Sequence, residues 1–294
     1  MPQILLDDLS KYHAIKNLDF VEEYLCFEEI ESTNSFAKEQ KSSPSSGLIV
    51  IRALKQSGGR GRREKTFFSD HSGGLWASII TPVKNISDHF IYNRALSLAV
   101  CEAVKAAVKC RNPRHIDCTN HRETAVPEAA AFNCRSSIKG IDPQISNKIK
   151  IKWPNDIYFG DRKIAGMLLE NVSTDPNVII AGLGLNINIM LDDFPAKLRD
   201  SATSTLIETG QILPVDLLLE RILTAYWRII RDNNQQIIHE QYIENLYKRG
   251  CDAVIDNYEG VFLTVEQSGQ LKMQTDQGDK FFSSGTLRFL ESNQ

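Results

Sequence analysis

A basic, glycine-rich segment carries the strongest chemical signal in this sequence: residues 55–63 are KQSGGRGRR, directly after an apolar run that ends near Leu54. Three glycines in four positions let backbone N–H groups approach an anion closely, because no Cβ atom stands in the way. The neighbouring arginines are bidentate donors that suit phosphate or carboxylate. Neither P-loop nor dinucleotide-fold glycine spacing is present. The segment predicts an anion-binding loop; a flexible solvated loop or a nucleic-acid patch is the alternative.

A second polar cluster surrounds a proline. Residues 152–156 are KWPND and residues 161–166 are DRKIAG. Proline donates no ladder hydrogen bond, so a strand should end there and present Asn155 and Asp156 at its mouth. Because Mg²⁺ is usually bound by one or two carboxylates plus substrate phosphates, Asp156 is a candidate Mg²⁺ ligand. Lys163 begins the next predicted strand and is expected to face the same site. An ordinary hairpin with solvated charges is the alternative.

Glycines also interrupt an apolar run at residues 182–188, GLGLNIN. Glycines inside a strand indicate close backbone approach or a bulge. Asn186 in this segment is a candidate partner for a ligand or for Asp156, or it begins a turn.

Residues 31–34, ESTN, follow the predicted strand 24–30. Ser32 or Thr33 is expected to cap a short helix over residues 35–41, because serine and threonine side chains accept hydrogen bonds from the first backbone N–H groups of a helix. The same hydroxyl groups could also contact a ligand at the end of the strand.

The elements that must position these residues are short strands mixed with helices. Predicted strands, which are apolar runs bounded by turn residues, cover 24–30, 47–54, 74–81, 149–153, 163–172 and 177–188. Apolar residues at helical spacing predict helices over 88–108, from Pro214 onward, and over about 235–249. Gly250 is expected to supply the left-handed stop of the last helix. This mixture predicts one α/β or α+β domain over residues 1–249.

The remaining residues, 250–294, have a different sequence pattern. Short strand-like runs at 251–255, 261–266, 271–275 and 286–290 are separated by turn formers. They predict a small all-β domain that has little core of its own and packs against the main domain.

Residues 110–148 interrupt the main domain. They contain three prolines, many polar residues and no sustained period, which predicts a long surface insertion. The insertion also holds candidate zinc ligands: Cys110, His115, Cys118, His121 and Cys134. Their spacing matches no standard zinc site, so an ordinary loop is the preferred interpretation.

Composition narrows the function classes. A formal net charge of −3 argues against an overall basic field that would recruit nucleic acid. The amino terminus lacks a signal-peptide pattern, and no apolar run approaches the roughly 20 residues that span a bilayer. Six cysteines at irregular spacings do not suggest a disulfide framework. A cytoplasmic protein without a membrane partner is expected.

Taken in chain order, these segments resemble the signatures of the biotin–protein ligases. The resemblance runs from about Glu28 to Asn188, apart from the insertion. It rests on Ser-Thr-Asn, the Gly-Arg-Gly-Arg-Arg run behind Gln56, Lys-Trp-Pro-Asn-Asp, Arg-Lys-Ile-Ala-Gly and Gly-x-Gly-x-Asn. Lipoate–protein ligases share the fold and an equivalent lysine but ordinarily lack the arginine run, so they are the nearest alternative. A non-catalytic module that binds nucleic acid is the other alternative, and the lack of interleaved aromatic residues argues against it.

The resemblance implies a fold like that of the class II aminoacyl-tRNA synthetases, with a mixed, largely antiparallel sheet, helices and a small C-terminal SH3-like barrel. It also implies two half-reactions. Biotin first reacts with Mg·ATP to give biotinyl-5′-AMP, and the biotinyl group then passes to a lysine of a biotin carboxyl carrier protein or domain. A homodimer is compatible with the sequence.

The resemblance also assigns roles to residues of this chain. Lys163 and Arg62 are the expected catalytic residues. The expected biotin-binding residues are Ser32, Thr33, Asn34, Gln56, Arg60, Gly61, Arg62 and Lys163. The expected nucleotide-binding residues are Arg62, Lys65, Phe67, Asn155, Asp156 and Asn186. Asp156 is the expected Mg²⁺ ligand.

Three departures from the family pattern stand out. Phe67 falls where many relatives carry a tryptophan on which adenine stacks, and it offers a smaller face. Glu64 replaces a usual glycine and puts a carboxylate into the anion-binding loop. Because the Ser-Thr-Asn element begins at residue 32, no helix-turn-helix domain and no DNA binding are expected.

Overall fold

The computed structural model describes residues 13–40, 43–83, 89–109, 143–172 and 175–290. Its main sheet has seven strands. In chain order they are β1 (Val21–Ile30), β2 (Leu48–Gln56), β3 (Gly74–Pro82), β4 (Ile149–Lys152), β5 (Asp156–Phe159), β6 (Arg162–Val172) and β7 (Asp175–Asn186). Their spatial order is β1-β2-β3-β7-β6-β5-β4, with β1 and β2 parallel and every other pair antiparallel. The sheet is therefore mixed and largely antiparallel.

Helices cover both faces of this sheet. They are α1 (His13–Lys16), α2 (Thr33–Glu39), α3 (His89–Lys109), α4 (Pro143–Asn147), α5 (Thr205–Thr209), α6 (Val215–Asp232) and α7 (Gln235–Glu244). On one face, α3, α6 and α7 bury their apolar residues in the main core with alternate strand residues. The stripe on α6, from Leu218 to Ile229, is the kind of apolar face that requires such a partner. None of the described helices is long and apolar enough to cross a membrane.

The opposite face of the sheet is where small and polar residues concentrate. Successive strand residues point to opposite faces, so Leu75, Ala77 and Ile79 of β3 enter the main core, while Ser78 points to the other side. There α2 packs over the sheet, with Ala37 in a separate core cluster beside β1, β2 and β7. This second face positions the residues described below.

The C-terminal residues form a five-stranded antiparallel sheet. Its strands are β8 (Asp252–Ile255), β9 (Tyr258–Val265), β10 (Leu271–Thr275), β11 (Gly278–Phe282) and β12 (Leu287–Phe289), in the order β11-β10-β9-β8-β12. Its apolar residues, including Phe262 and Leu271, belong to the same core cluster as the main sheet and helices. Trp153 Nε1 also donates to Gly269 O at 2.9 Å. The small sheet thus shares its core with the larger part.

The predicted fold class is confirmed, and the differences are local. Two short strands were not predicted: β5, because DIYF follows directly on the proline turn, and β11, because polar GDKFF lacks an apolar run. Helix α7 ends at Glu244 rather than near residue 249, since the chain turns to pair Leu246 with Ile151. The prediction that Gly250 stops the helix was therefore wrong, although this glycine does have a positive φ of 85°.

Helix α2 begins at Thr33, and Ser32 is its N-cap, with Ser35 N donating to Ser32 Oγ at 3.4 Å. The predicted insertion is only partly described: residues 143–147 form α4, and residues 110–142, with the candidate zinc ligands, lie outside the described residues.

Candidate active site

A cavity of about 300 Å³ opens on the second face of the main sheet. Most residues singled out in the sequence line it: Ser32, Thr33, Asn34, Gln56, Arg60, Gly61, Arg62, Lys65, Phe67, Asn155, Asp156 and Lys163. This volume lies at the small end of the usual range for ligand pockets, roughly 300–1,000 Å³. The structure therefore brings four separated segments to one site.

A hydrogen-bonded group that we call the polar wall consists of Thr33, Asn34 and Gln56, which line the cavity, and the fully buried Ser78. Thr33 donates to Gln56 Oε1 from its backbone nitrogen at 2.7 Å and from Oγ1 at 3.0 Å. The Ser78 hydroxyl oxygen lies 2.7 Å from Thr33 Oγ1 and 2.5 Å from Asn34 Oδ1. Because buried polar groups held this way have fixed orientations, the wall presents a preset pattern of donors and acceptors.

The polar wall still has capacity for a ligand. Both contacts from Thr33 go to the oxygen of the Gln56 amide, and Gln56 Nε2 donates to none of the described residues. A primary amide nitrogen can donate two hydrogen bonds. Gln56 can therefore offer its NH₂ group to an acceptor on a molecule in the cavity.

Two glycines of strand β7 make room for Asn34 of this wall and for Phe67. A Cβ atom on Gly182 would lie 2.2 Å from Asn34 Oδ1, and one on Gly184 would lie 2.5 Å from the Phe67 ring. Both separations are shorter than real Cβ contacts allow, so only glycine lets Asn34 and Phe67 lie against β7. The close backbone approach predicted for this strand is confirmed.

Directly after Gln56, residues 57–65 form what we call the arginine loop. Phe67 N donates to Gly59 O at 2.9 Å, and Gly61 N donates to Lys65 O at 2.6 Å, which folds the loop back on itself. Its tip includes Arg63, at a positive φ of 54°. The loop thus turns its cationic side chains toward the cavity from one side.

Two arginines of the loop make side-chain contacts with other segments, and both contacts are long for hydrogen bonds. Arg60 Nη2 lies 3.3 Å from Glu170 Oε2, and Arg62 Nη1 donates to Asn155 Oδ1 at 3.3 Å. Burial and the neighbouring Arg63 lower the pKa of Arg62, while Asp156 acts in the opposite direction. Arginine stays protonated despite such a shift, so Arg62 is a partly desolvated cation that an anion would stabilise.

The proline segment supplies the third side of the cavity. Strand β4 ends at Lys152, as predicted, and Asn155 is held by its amide donating to Met167 O. Asp156 Oδ1 and Lys163 Nζ are 2.7 Å apart and both side chains are partly exposed to the cavity. The sequence placed Lys163 and Asp156 on the same site, and the structure brings them into contact.

The cavity is strongly cationic. Six basic residues line it, Arg60, Arg62, Arg63, Lys65, Lys152 and Lys163, against one acidic residue, Asp156, among the described lining residues. Burial, followed by the neighbouring Lys163 and Lys248, lowers the pKa of Lys152, while Asp156 opposes the shift. Clustered cations in a partly enclosed space attract anions, and several anionic groups could be held together here.

Apolar residues also line the cavity. Ala77, Trp153, Met167, Leu168 and Leu183 contribute to the lining. Phe67 adds an aromatic face, with Lys163 Nζ 5.4 Å from its ring centre and the Trp76 ring edge-on at 6.0 Å. The arrangement suits a ligand with a neutral polar head, an apolar middle and an anionic end.

A magnesium ion fits this donor set only together with its substrate. The described residues contain no cluster of three or more metal-ligating side chains. Asp156 is the single carboxylate of the lining, and it already contacts Lys163. Because Mg²⁺ at nucleotide sites is held mainly by phosphate oxygens and water, one carboxylate is compatible with that role.

Asn186 is the exception among the sequence candidates, because it does not line the cavity. It is buried, with 4% of its surface exposed, and its Nδ2 donates to Thr203 O at 3.0 Å. It makes no hydrogen bond to Asp156. Its Oδ1 is buried without a partner among the described residues. The structure therefore gives Asn186 a place behind the site and supports no direct ligand contact.

Sequence reasoning also missed residues of the site. Ser78 lies inside a strand that is buried on both faces, and no turn or motif sets it apart. Gly285, Thr286 and Leu287 come from the C-terminal sheet, and only tertiary packing brings them to the cavity. Lys152 and Arg63 belong to the motifs that were recognised, but neither was assigned a role.

Comparison with known proteins finds a family whose matched range spans these segments. The sequence model of the biotin/lipoate A/B protein ligase family matches residues 26–186. The bifunctional ligase/repressor BirA of Bacillus spizizenii is 25% identical over 272 residues, which cover 88% of this chain and 71% of the relative. The matched range contains α2, the arginine loop and both lysine motifs.

Solved structures show the same fold. The biotin protein ligase of Aquifex aeolicus, in complex with biotin and ATP, superposes with a TM-score of 0.68 at 21% identity and covers 92% of this chain and 100% of its own. The biotin protein ligase of Leishmania major in complex with biotinyl-5-AMP superposes with a TM-score of 0.55 at 20% identity, covering 93% and 99% of the two chains.

Proposed function

Because the chain belongs to the biotin/lipoate A/B protein ligase family, we propose that it is a biotin–protein ligase, which activates biotin with ATP and transfers it to a lysine of a carrier domain. The observation that carries the choice of biotin is the polar wall, in a cavity that apolar and cationic residues also line. Biotin ends in a ureido ring with donors and acceptors, and Gln56 and Thr33 are placed to meet them.

Lipoate is the second candidate within the family, and the polar wall argues against it. A dithiolane ring offers no strong hydrogen-bonding group, so the half-buried amide of Gln56 would lose water without gaining a partner. Sites built around such groups reject analogues that lack them. The arginine loop, which lipoate ligases ordinarily lack, also argues against lipoate.

In the first half-reaction, a carboxylate oxygen of biotin attacks the α-phosphorus of ATP, and the bond to the β-phosphate breaks to release pyrophosphate. The reacting carboxylate and phosphate repel each other, so fixed cations near both lower the barrier. Lys163, in contact with Asp156, and Arg62, a partly desolvated cation of the same cavity, would neutralise that charge. Bound with the nucleotide, Mg²⁺ would supply further phosphate neutralisation, with Asp156 as its protein ligand.

In the second half-reaction, the neutral amine of the acceptor lysine attacks the biotinyl carbonyl. The bond to AMP breaks, AMP leaves, and the amine loses a proton. The cations that stabilised the first transition state also stabilise the departing AMP, so no enzyme nucleophile is needed. The acceptor is proposed to be a biotin carboxyl carrier domain.

The substrate assignment is tested by offering the purified chain ATP, Mg²⁺ and a biotin carrier domain with either biotin or lipoate. Transfer of biotin, detected by the mass increase of the carrier, is expected, with little or no transfer of lipoate. Transfer of lipoate without biotin would overturn the proposal.

The role of Lys163 is tested by Lys163→Ala. Adenylate formation, measured by pyrophosphate release, should fall by about 100-fold or more, because a fixed charge at the transferring phosphate is lost. Lys197→Ala, an exposed lysine outside the cavity, is the matched control. A normal rate in the Lys163 variant would show that this lysine is not catalytic.

A further inference from the structure

Glu170 lies just outside the cavity, on β6, and contacts both the polar wall and the arginine loop. Its Oε2 accepts from Asn34 Nδ2 at 2.8 Å and lies 3.3 Å from Arg60 Nη2. Its Oε1 accepts from Lys38 Nζ at 2.6 Å. One carboxylate thus receives donors from α2 and from the loop.

The carboxylate is charged near neutral pH. Burial raises the pKa of Glu170, but hydrogen bonds from Lys38 and Asn34 and the charges of Lys38 and Arg60 outweigh it, and the pKa lies below its usual value. An ionised carboxylate holds a guanidinium more strongly than a neutral group would. Glu170 is therefore able to restrain Arg60 in the ligand-free protein.

The contact uses only part of the Arg60 guanidinium. The bond to Glu170 uses Nη2, and arginine has five N–H donors in total. Arg60 also lines the cavity, so its remaining donors are available to an anion there. Holding one edge of the group reduces the freedom that must be lost when a ligand binds to the other edge.

We propose that Glu170 is a positioning residue for the arginine loop, which holds Arg60 toward the cavity before the anionic substrate arrives. Through Oε2 it also couples Arg60 to Asn34, so the loop and the polar wall share one anchor. The part that concerns substrate affinity rests on the proposed function, whereas the anchoring of the loop does not.

Anchoring is tested first without any ligand. In a limited tryptic digest of the full chain, Glu170→Gln should increase cleavage after Arg60, Arg62, Arg63 and Lys65 by about fivefold relative to cleavage elsewhere, because loosely held loops are cut more often. Glu170→Asp, which keeps the charge on a shorter side chain, should lie between this variant and the wild type. Lys38→Met removes the other cationic partner and should leave loop cleavage unchanged. Equal loop cleavage in all four proteins would overturn the proposal.

Positioning is then tested by kinetics. Glu170→Gln should raise the KM for biotin about tenfold, the scale of one hydrogen bond to a charged group, and change kcat by less than about twofold. In an Arg60→Met background the same substitution should have no further effect, because its action passes through Arg60. Independent, additive effects would contradict the proposal. Failure of the wild type to use biotin would instead contradict the proposed function, while the digest would still test the anchor.

Discussion

The two sides of the cavity hold their functional groups in opposite ways. In the polar wall, Thr33, Asn34 and Ser78 are at most 5% exposed and their hydrogen bonds to one another and to Gln56 span 2.5–3.0 Å. In the arginine loop, side-chain hydrogen bonds from Arg60, Arg62 and Arg63 are 3.3–3.4 Å long, and the first and last of these residues are exposed.

This difference separates recognition from reaction. A buried, mutually bonded wall can discriminate between ligands, because any mismatch leaves a polar group without a partner. A loop whose side-chain contacts are long, and in which Glu170 restrains only Arg60, can still adjust around an anion and exclude water once the anion is present. Substitutions in the wall should therefore affect folding stability together with affinity, whereas substitutions in the loop should affect the reaction with little change in stability.

The largest effect is expected in the loop. Arg62→Met should reduce the rate of adenylate formation by about 100- to 1,000-fold, because a partly desolvated cation near the transferring phosphate is removed. The thermal midpoint should stay close to that of the wild type. Pyrophosphate release and a melting curve measure the two quantities, with the exposed Arg249→Met as control. A large loss of stability in Arg62→Met would remove the distinction between loop and wall.

Gly182→Ala should disturb the wall, and its expected effect is smaller. The new Cβ atom would meet Asn34 Oδ1 at 2.2 Å, so the buried asparagine must move. Overpacking of this kind costs about 1–3 kcal/mol of unfolding free energy. The KM for biotin should rise about tenfold, which corresponds to a loss of about 1.4 kcal/mol in binding free energy.

Gly160→Ala provides the control for this variant. Gly160 has a φ of 60° and its added Cβ would meet nothing within 4 Å, so alanine should lower stability through backbone strain alone. The KM for biotin should be unchanged in Gly160→Ala and raised in Gly182→Ala. That result would show that the raised KM comes from the disturbed wall and not from lower stability in general. Equal KM values in both variants would contradict the role of the wall.

Ser78→Ala should cost about 1–2 kcal/mol of unfolding free energy, because Asn34 Oδ1 loses its hydroxyl donor inside the protein. Urea denaturation measures this loss. Biotin affinity should fall only a few-fold, since Gln56 keeps both contacts from Thr33. A change in kcat without a change in stability would show that Ser78 acts in the reaction and not in holding the wall together.

The smallest effect concerns how the contribution of Glu170 to stability depends on pH. Glu170 contacts both the arginine loop and the polar wall. The folded-state pKa of Glu170 is depressed below the ordinary value of 4.5, so its contribution is complete above that value and is lost as the pH falls through the lower folded value. The stability difference between wild type and Glu170→Gln should be about 1 kcal/mol or less, because the pair with Arg60 is partly exposed. It should stay constant from pH 8 to about pH 5.5 and narrow only below about pH 4. A difference that already narrows above pH 5.5 would show that the pKa is not depressed.

The sequence by itself determined the chemistry of the site and most of the fold. Apolar runs bounded by turn residues predicted six of the seven main-sheet strands, and apolar periodicity predicted the long helices, because burial imposes a period on any amphipathic helix. The loop glycines and arginines, and the lysine and aspartate beside the proline, were recognisable because few other structures require those residue types at that spacing.

Only the tertiary structure decided which of these residues share a surface. Ser78 joins the polar wall because β3 lies beside α2, and Asn186 is excluded because the loop at Thr203 covers it. Glu170 anchors Arg60, although 110 residues separate them in the chain. Hydrogen bonds and ion pairs of this kind depend on distances between segments that are far apart in sequence, and local patterns carry no information about such distances.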